Sequence, residues 1–233
     1  MAKYWTPGKV KTRLGASVGA EVAACLHRQF VMHLCDRLAH APGIRELVVA
    51  PASAVDCMAD ELTGGWRFVA QNDGDLGDRM RTWFATKLAE PACEKAVLIG
   101  ADCPNLKPQD IRTAFDRLDR DDIVLGPAND GGYYLIGLHA RHREQHEDLF
   151  THIPWSSEDV LEITQNRAQA ADLTLSLLPM MTDVDELSDL QQLCETLALT
   201  RHSDPGDGEL ADQIHRLVPV HRLVPAADRG PRS

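Results

Sequence analysis

The sequence has no long apolar run, and its first fifteen residues lack the pattern of a secretory signal; each observation argues against a class of protein. The longest apolar stretches, residues 97–100 and 133–138, are far shorter than the roughly 20 residues that a membrane-spanning helix needs. Residues 1–15 are basic but include no apolar segment and no small-residue cleavage site, so we expect no secretory signal. We therefore expect a cytoplasmic protein without a membrane span.

Paired cysteines and excess positive charge are also absent. The six cysteines show no C-x-x-C spacing and most lie in apolar patterns, so we interpret them as reduced, packed thiols. The formal net charge is -11 at pH 7, which argues against a nucleic-acid partner because neutralising a polyanion requires a basic face. A small anionic ligand remains compatible, since cations are concentrated near the N-terminus at Lys3, Lys9, Lys11 and Arg13.

Helix and strand patterns alternate along most of the chain. The predicted helices are 18–41, 76–88, 108–118, 156–171 and 185–199, and the predicted strands are 44–50, 66–71, 95–101, 122–127, 131–138 and 173–179. This alternation predicts an α/β fold, a three-layer sandwich around a mostly parallel sheet. We place this domain at residues 1–200 and treat 201–233 as a C-terminal appendage, partly mobile, which begins with a linker.

Acidic residues follow three of the predicted strands, at the edge where such sheets bind ligands. They are Asp102, Asp130, Asp183 and Asp185. Carboxylates of this kind bind Mg²⁺ or Mn²⁺, although Asp102 is equally compatible with capping the turn into the next helix. Asp183 and Asp185 point to the same side of an extended segment, with Val184 inward. Capping alone is the preferred interpretation of Asp185, whereas Asp183 has no cap to make.

The segment PGKVKTRLG, residues 7–15, places two lysines and an arginine ahead of a predicted helix. Backbone N–H groups, a helix N-terminus and cationic side chains together suit phosphate binding. The spacing is not that of a Walker A motif, and a solvated basic arm is the alternative. Gly77 and Arg79 lie at the start of another predicted helix and give a weaker indication of the same kind.

Two histidines and one cysteine are candidates for metal binding or nucleophilic chemistry. His142 and His146 are four residues apart and could chelate a metal on a helix, but the charges around them favour a solvated face. Cys103 has no identifiable partner base, so we predict no nucleophile there. The segment LGPANDGGYYLIG, residues 125–137, is different: consecutive glycines permit close backbone approach, and we favour a site loop beside Asp130 over a simple turn.

Six segments together resemble one family: residues 1–15, 71–80, 97–106, 123–138, 153–164 and 182–190. They are similar to the bacterial GT-A-type glycosyltransferases associated with radical-SAM and selenodomain proteins. At a lower level they resemble 2-phospho-lactate guanylyltransferase and molybdenum cofactor guanylyltransferase. The resemblance runs from about residue 2 to residue 195 and implies a nucleotide-diphospho-sugar transferase fold. One departure is a short first strand, with Trp5 where a proline is usual, so we expect a truncated central strand or a true start further upstream.

The resemblance also implies site residues. The predicted nucleotide-binding residues are Gly8, Lys11, Arg13, Gly77 and Arg79. The predicted ligands for Mg²⁺ or Mn²⁺ are Asp102, Asp183 and Asp185. The predicted acceptor-binding residues are Asp130, Gly131, Gly132 and Tyr133. The predicted catalytic residues are Lys11, Arg13 and Asp130.

These roles favour a metal-dependent transferase that moves a group from a nucleotide or nucleotide sugar to a small-molecule acceptor. Lys11 and Arg13 would offset charge on the leaving phosphate, and Asp130 would orient or deprotonate the acceptor hydroxyl. A nucleotidyltransferase that releases pyrophosphate is one alternative, and a nucleotide-binding module without turnover is another. The sequence identifies neither the base, the transferred group, the acceptor nor the oligomeric state.

Overall fold

The computed structural model describes residues 1–62 and 64–223, which form seven strands and nine α-helices. The strands are β1 Ala2–Lys3, β2 Glu46–Ala50, β3 Arg67–Ala70, β4 Lys95–Ile99, β5 Ile123–Pro127, β6 Tyr133–His139 and β7 Leu175–Leu177. The helices are α1 Thr12–Val18, α2 Ala20–Arg37, α3 Val55–Glu61, α4 Leu76–Leu88, α5 Pro108–Arg117, α6 Val160–Ala170, α7 Leu187–Thr200, α8 Pro205–Leu217 and α9 Val220–Leu223. Two 3₁₀ helices, Ala52–Ala54 and Ala140–Leu149, complete the set.

The strands form two sheets that meet at the N-terminus of the chain. One sheet has the order β1-β2-β3 and is parallel, and the other has the order β4-β6-β5-β7. The nitrogen of Met1 donates to the carbonyl of Ile99 in β4 over 2.7 Å, so β1 and β4 lie side by side at the junction. β1 is two residues long, against five for β2. The predicted α/β fold with a mostly parallel sheet is confirmed.

Strand β6 is antiparallel to both of its neighbours, β4 and β5. Residues 128–132, which connect β5 to β6, are too few for the crossover that a parallel connection requires. The tight connection therefore reverses the chain, and β6 begins at the edge where β4, β5 and β7 end. Tyr133 and Tyr134, at the start of β6, consequently lie at the same edge as the strand-end acids.

Helices cover both faces of the larger sheet, because its strands alternate their apolar side chains between the two faces. In β4, Val97 and Ile99 pack into the cluster formed with α2, α3 and α5, whereas Ala96 and Leu98 pack into the cluster formed with α4 and α6. Such a strand is buried on both sides. The arrangement is the predicted three-layer sandwich.

Three predicted helix boundaries were wrong. The long helix predicted over 18–41 is interrupted at Gly19, whose φ of 96° lies outside the helical range and divides α1 from α2. The helix predicted from Ser156 begins at Val160, because Ser156 has a φ of 73° and cannot start a right-handed helix. The helix predicted from Asp185 begins at Leu187.

Residues beyond 200 form helices that pack against the rest of the chain. Leu210 and Ile214 of α8 are buried in a cluster with α1, α2 and α7. The linker expected from residue 201 therefore ends at Pro205, where α8 begins, with Asp204 accepting hydrogen bonds from its first turn. The mobile end predicted for the appendage falls mainly on residues 224–233, which lie outside the described residues. The domain boundary at residue 200 stays a prediction.

Charged side chains hold α8 to α2. Arg37 of α2 contacts both Asp204, at 3.1 Å, and Asp207. His33 lies one turn away, with its Nε2 4.0 Å from an Asp207 oxygen. Burial, followed by the charge of Arg37, lowers the pKa of His33 to about 4. His33 is therefore neutral in the folded protein at neutral pH.

Some thiols and histidines lie in other environments than predicted. Cys35, Cys103 and Cys194 are buried, as expected of packed thiols, but Cys25 and Cys57 are exposed. The histidines at 142 and 146 lie in a 3₁₀ helix that is kinked at His142. His142 is exposed, whereas His146 is buried, so the predicted solvated face holds for only one of them.

Among the described residues, we find no helix with the length and apolar character that crossing a bilayer requires.

Candidate active site

A cleft of about 800 Å³ opens at the edge where β4, β5 and β7 end and β6 begins. The basic loop after β1 forms one wall, and the acid-bearing loops after the other strands form the floor. Its lining includes the predicted residues Lys11, Arg13, Arg79, Asp102, Asp130, Gly132, Tyr133, Asp183 and Asp185. The structure therefore brings nine of the twelve predicted site residues to a single cleft.

Lys11 lies at the centre of this cleft, between two carboxylates from distant parts of the chain. Its Nζ contacts Oδ1 of Asp102 and lies 3.0 Å from Oδ1 of Asp185. The lysine side chain is 3% exposed, whereas that of Asp102 is 48% exposed to the cleft. Burial opposes the charge of both groups, yet their attraction raises the pKa of Lys11 and lowers that of Asp102. Both are ionised at neutral pH.

The backbone of Lys11 places its side chain there. Lys11 has φ 46° and ψ 47°, a left-handed conformation that is uncommon for a residue with a Cβ. It immediately precedes α1, and no side chain caps that helix. Gly8, with φ 74° and open space around it, supplies the turn that begins the loop and does not itself line the cleft.

The side chain of Asp185 forms ion pairs with two basic residues and does not cap α7. Its Oδ2 accepts a hydrogen bond from Arg13 over 2.6 Å, in addition to the contact with Lys11. The cap of α7 is formed by Glu186 and Asp189, and Asp189 also accepts from the backbone N–H of Asp185. The preferred sequence interpretation, that Asp185 only caps the helix, was therefore wrong: the following residue takes that role.

Asp183 faces a different neighbour. Burial, and then the charge of Asp130, raise the pKa of Asp183 to about 6, with Asp185 contributing less. Val184, between Asp183 and Asp185 in the sequence, is buried, and its N–H donates to the carbonyl of Asp102 over 2.9 Å. The alternation predicted for this segment is confirmed. Two of the four acids, Asp102 and Asp185, thus contact Lys11, and Asp130 and Asp183 line the same cleft.

The two glycines after Asp130 have different environments. A Cβ on Gly131, whose φ is 85°, would lie 2.1 Å from the carbonyl oxygen of Glu158, so close packing against the segment before α6 requires glycine. Gly131 lies behind the cleft lining, whereas the N–H of Gly132 donates to Oδ1 of Asp130 over 2.8 Å and fixes that carboxylate at the cleft. The segment is both a turn and a wall of the cleft.

Arg79 reaches the cleft, and no carboxylate of residues 1–62 and 64–223 forms an ion pair with it. Its Nε donates to the carbonyl of Gly74 and its Nη1 to Oε1 of Gln71, both over 2.9 Å and both neutral oxygens. The N-terminus of α4 is capped by Asp75 and Asp78, so an anion there would meet two carboxylates. Gly77 does not line the cleft, because it is buried against the carbonyl of Phe150 and the indole of Trp155.

Sequence reasoning missed several cleft residues. Trp155, Ser156 and Ser157 line the cleft in the stretch predicted to start a helix. His27 also lines it, buried on α2, with its Nε2 hydrogen-bonded to the carbonyl of Lys3 and with no partner for its Nδ1 among the residues that the structure describes. No sequence signal marks His27 beyond its place on the helix. Burial raises the pKa of the Cys103 thiol, which disfavours the reactive thiolate form.

The acids fit a divalent cation only in part. Asp102 and Asp185 already hold one positive charge between them, that of Lys11. Within residues 1–62 and 64–223, however, no three His, Cys, Asp or Glu side chains are arranged to hold a metal ion together. Mg²⁺ usually takes one or two protein carboxylates and completes its shell with water and phosphate oxygens. Asp102 and Asp185 suit that mode of binding.

Comparison with known sequences identifies one family. The model of a family described as uncharacterized proteins conserved in bacteria, DUF2064, matches residues 31–157. This range includes Asp102 and Asp130 but neither Lys11 nor Asp185. No curated protein matches the chain significantly.

Solved structures extend the similarity to nearly the whole chain. A protein from Desulfovibrio desulfuricans G20 is 33% identical, with a TM-score of 0.80, over 93% of this chain and 95% of that one; it is named as a nucleotide-diphospho-sugar transferase, provisionally. The 4-diphosphocytidyl-2C-methyl-D-erythritol synthase of Anaerococcus prevotii DSM 20548 is 10% identical over 81% of this chain and 92% of that one, with a TM-score of 0.51. Rv0371c of Mycobacterium tuberculosis H37Rv is 17% identical over 83% of this chain and 96% of that one, also with a TM-score of 0.51. The latter two show similarity of fold alone.

Proposed function

This chain belongs to the bacterial family DUF2064, and on that premise we propose that it is a metal-dependent transferase that moves a group from a nucleotide-diphospho-sugar to a small acceptor. One observation carries the proposal: Lys11 is buried between Asp102 and Asp185 in the cleft. Cationic and anionic groups from the loops after β1, β4 and β7 thereby converge on one point. The provisional name of the Desulfovibrio relative supports the same class of reaction.

The residues of the cleft divide the work between donor and acceptor. Lys11 and Arg13 lie at the basic wall and would bind the diphosphate, offsetting charge that develops on the leaving phosphate. Asp102 and Asp185 would hold Mg²⁺ or Mn²⁺, which when bound neutralises diphosphate charge. Arg79, whose recorded partners are neutral oxygens, would contribute a further positive charge to the donor side.

Asp130 and Asp183 form the acceptor side of the proposal. Gly132 fixes Oδ1 of Asp130, so Oδ2 is the oxygen that would orient an acceptor hydroxyl. Asp183 supplies a second carboxylate to the same cleft, which would share the proton that the hydroxyl loses. Tyr133 and Gly132 would complete this wall. Positioning and fixed charge, rather than covalent chemistry by the protein, would then carry the reaction.

Nucleotidyl transfer is the second candidate. Lys9, Lys11, Arg13 and Arg79 all line the cleft, and four cations suit the charge of a nucleoside triphosphate. Such a reaction would release pyrophosphate instead of a nucleoside diphosphate. A module that binds nucleotide without turnover is the third candidate, and the association with radical-SAM proteins stays a prediction.

The product that leaves the donor distinguishes these candidates. A thermal-shift screen of nucleotides and nucleotide sugars, with and without Mn²⁺, would first identify the donor through its stabilisation of the protein. Incubation of that donor with candidate acceptors should then release nucleoside diphosphate. Release of pyrophosphate would favour nucleotidyl transfer. Metal-independent binding that survives Asp102→Ala, without either product, would contradict both enzymatic proposals.

A further inference from the structure

The contact of Lys11 with two carboxylates bears on how metal and phosphate enter the cleft. Its Nζ touches Asp102 and Asp185 at once, and it therefore takes the position of a cation between them. The lysine side chain is 3% exposed, yet the two carboxylate side chains remain 48% and 29% exposed to the cleft. A divalent ion can thus approach the acids, but it must compete with an ammonium group already in contact with them.

The backbone at Lys11 gives an independent observation. A left-handed conformation at a residue with a Cβ is strained and persists only where surrounding contacts enforce it. Here the two ion pairs supply those contacts. Release of the side chain from the carboxylates would remove that constraint. Gly8 and Lys9 of the same loop are exposed, with open space beside Gly8, whereas Val10 is buried.

The donor set limits what a metal gains without phosphate. Only two carboxylates converge on Lys11, and the described part of the chain offers no three-ligand cluster. A metal ion that binds without phosphate therefore displaces a favourable ammonium contact, and water must fill most of its coordination shell. With a diphosphate present, the metal gains phosphate oxygens and the displaced ammonium gains a new anionic partner.

We propose that Lys11 is an exchangeable internal cation: it occupies the metal position in the free protein and transfers to phosphate when the metal enters. This inference extends the proposed function, and it makes metal and phosphate binding mutually dependent. Binding of either ligand alone is weakened because it leaves one charged group without its partner, and binding of both satisfies all of them.

Mn²⁺ binding to the protein alone, with no nucleotide, tests the exchange. Bound Mn²⁺ can be measured from the loss of its free-ion signal in electron paramagnetic resonance. Lys11→Met keeps the length of the side chain and removes its charge, so Mn²⁺ should bind about tenfold more tightly or better, because a competing unit charge in direct contact has been removed. The control Lys107→Met removes the same charge from an exposed position that does not line the cleft, and should change the affinity by less than about twofold.

Amine labelling of the unmodified protein gives a second test that does not depend on the folding of a variant. Reductive methylation followed by mass spectrometry should show slow modification of Lys11 in the free protein and a rate at least about fivefold faster with saturating Mn²⁺, because its buried ion pairs are broken. Lys107, which is exposed and does not line the cleft, serves as the internal control.

Two results would overturn the exchange. One is an unchanged or weaker Mn²⁺ affinity of a folded Lys11→Met protein, verified by near-ultraviolet circular dichroism. The other is unchanged labelling of Lys11 at a Mn²⁺ concentration where binding is demonstrably saturated. Neither assay requires turnover, so their outcome is independent of the product assay that tests the proposed reaction.

Discussion

The backbone N–H of Val184 donates to the carbonyl of Asp102 over 2.9 Å, which fixes the loop after β7 against the end of β4. Val184 is buried in the same cluster as Leu14 of α1. Both the late acids and the basic loop are thereby anchored in a single apolar core, with their charged side chains projecting into the cleft. This apolar core therefore sets the distances between the charged groups of the cleft. Substitutions of those groups can be compared because the core that anchors them is unchanged.

Replacement of Asp102 tests the site most directly. Asp102→Asn keeps the shape of the side chain but removes one of the two charges beside Lys11, so kcat/KM for the identified donor should fall by about 100-fold or more. Asp116→Asn, which removes an exposed carboxylate from α5 away from the cleft, should retain activity. Full activity of a folded Asp102→Asn protein would contradict the assignment.

Asp185 and Asp189 separate a site role from a capping role. Asp185→Asn should lower Mn²⁺-dependent activity by about tenfold or more, because it removes a proposed metal ligand, and it leaves the side chains that cap α7 unchanged. Asp189→Ala should instead lower the free energy of unfolding by about 1 kcal/mol, since it removes the acceptor of two backbone N–H groups at the start of α7. Activity assays and urea denaturation of both variants would separate the two roles. Equal effects of the two substitutions on activity and on unfolding free energy would contradict this assignment.

Gly131 and Gly8 distinguish backbone strain from close packing. Both have positive φ, but a Cβ at Gly8 would meet open space whereas one at Gly131 would collide with the Glu158 backbone. Gly8→Ala should therefore cost about 1 kcal/mol of unfolding free energy. Gly131→Ala should cost about 3 kcal/mol or more, because the backbone of two segments must move. Chemical denaturation measures both, and equal costs would show that the collision is relieved without penalty.

Stability should fall in mild acid through His33. Its pKa is about 4 in the folded protein, below the ordinary value of 6.5, so between these values the unfolded chain binds more protons. The free energy of unfolding then decreases as the pH drops from about 7 to 4, by up to about 3 kcal/mol from this group. His33→Gln, which does not titrate, should show a correspondingly smaller decrease in pH-dependent urea denaturation. Identical pH profiles for both proteins would refute this account.

The strand-end acids show what the sequence could predict. Apolar runs identified β4 and β5, and the rule that ligands gather at the carboxyl ends of strands predicted that Asp102, Asp130 and Asp183 would share a cleft. Local pattern was sufficient because each acid directly follows its strand. Their roles as metal or acceptor ligands stay predictions.

Contacts between distant residues could not be predicted in the same way. Nothing local distinguishes Asp185 from Glu186 as the cap of α7, since the choice depends on Lys11 and Arg13, more than 170 positions earlier. Gly77 and Gly131 likewise pack against segments far along the chain, so their glycine requirement is tertiary. The antiparallel direction of β6 could have been predicted from the sequence, because a five-residue connection is too short for a parallel crossover.

Helix α8 has a consequence for the basic wall of the cleft. Leu210 and Ile214 pack in one cluster with Leu14 of α1, and Arg222 of α9 donates to the carbonyl of Ser17 over 2.7 Å. The C-terminal helices thus brace, from behind, the short helix that carries Arg13. Shortening the protein at residue 200 would remove this brace and, on the proposed role of Arg13, weaken phosphate binding, although none of the removed residues up to 223 lines the cleft.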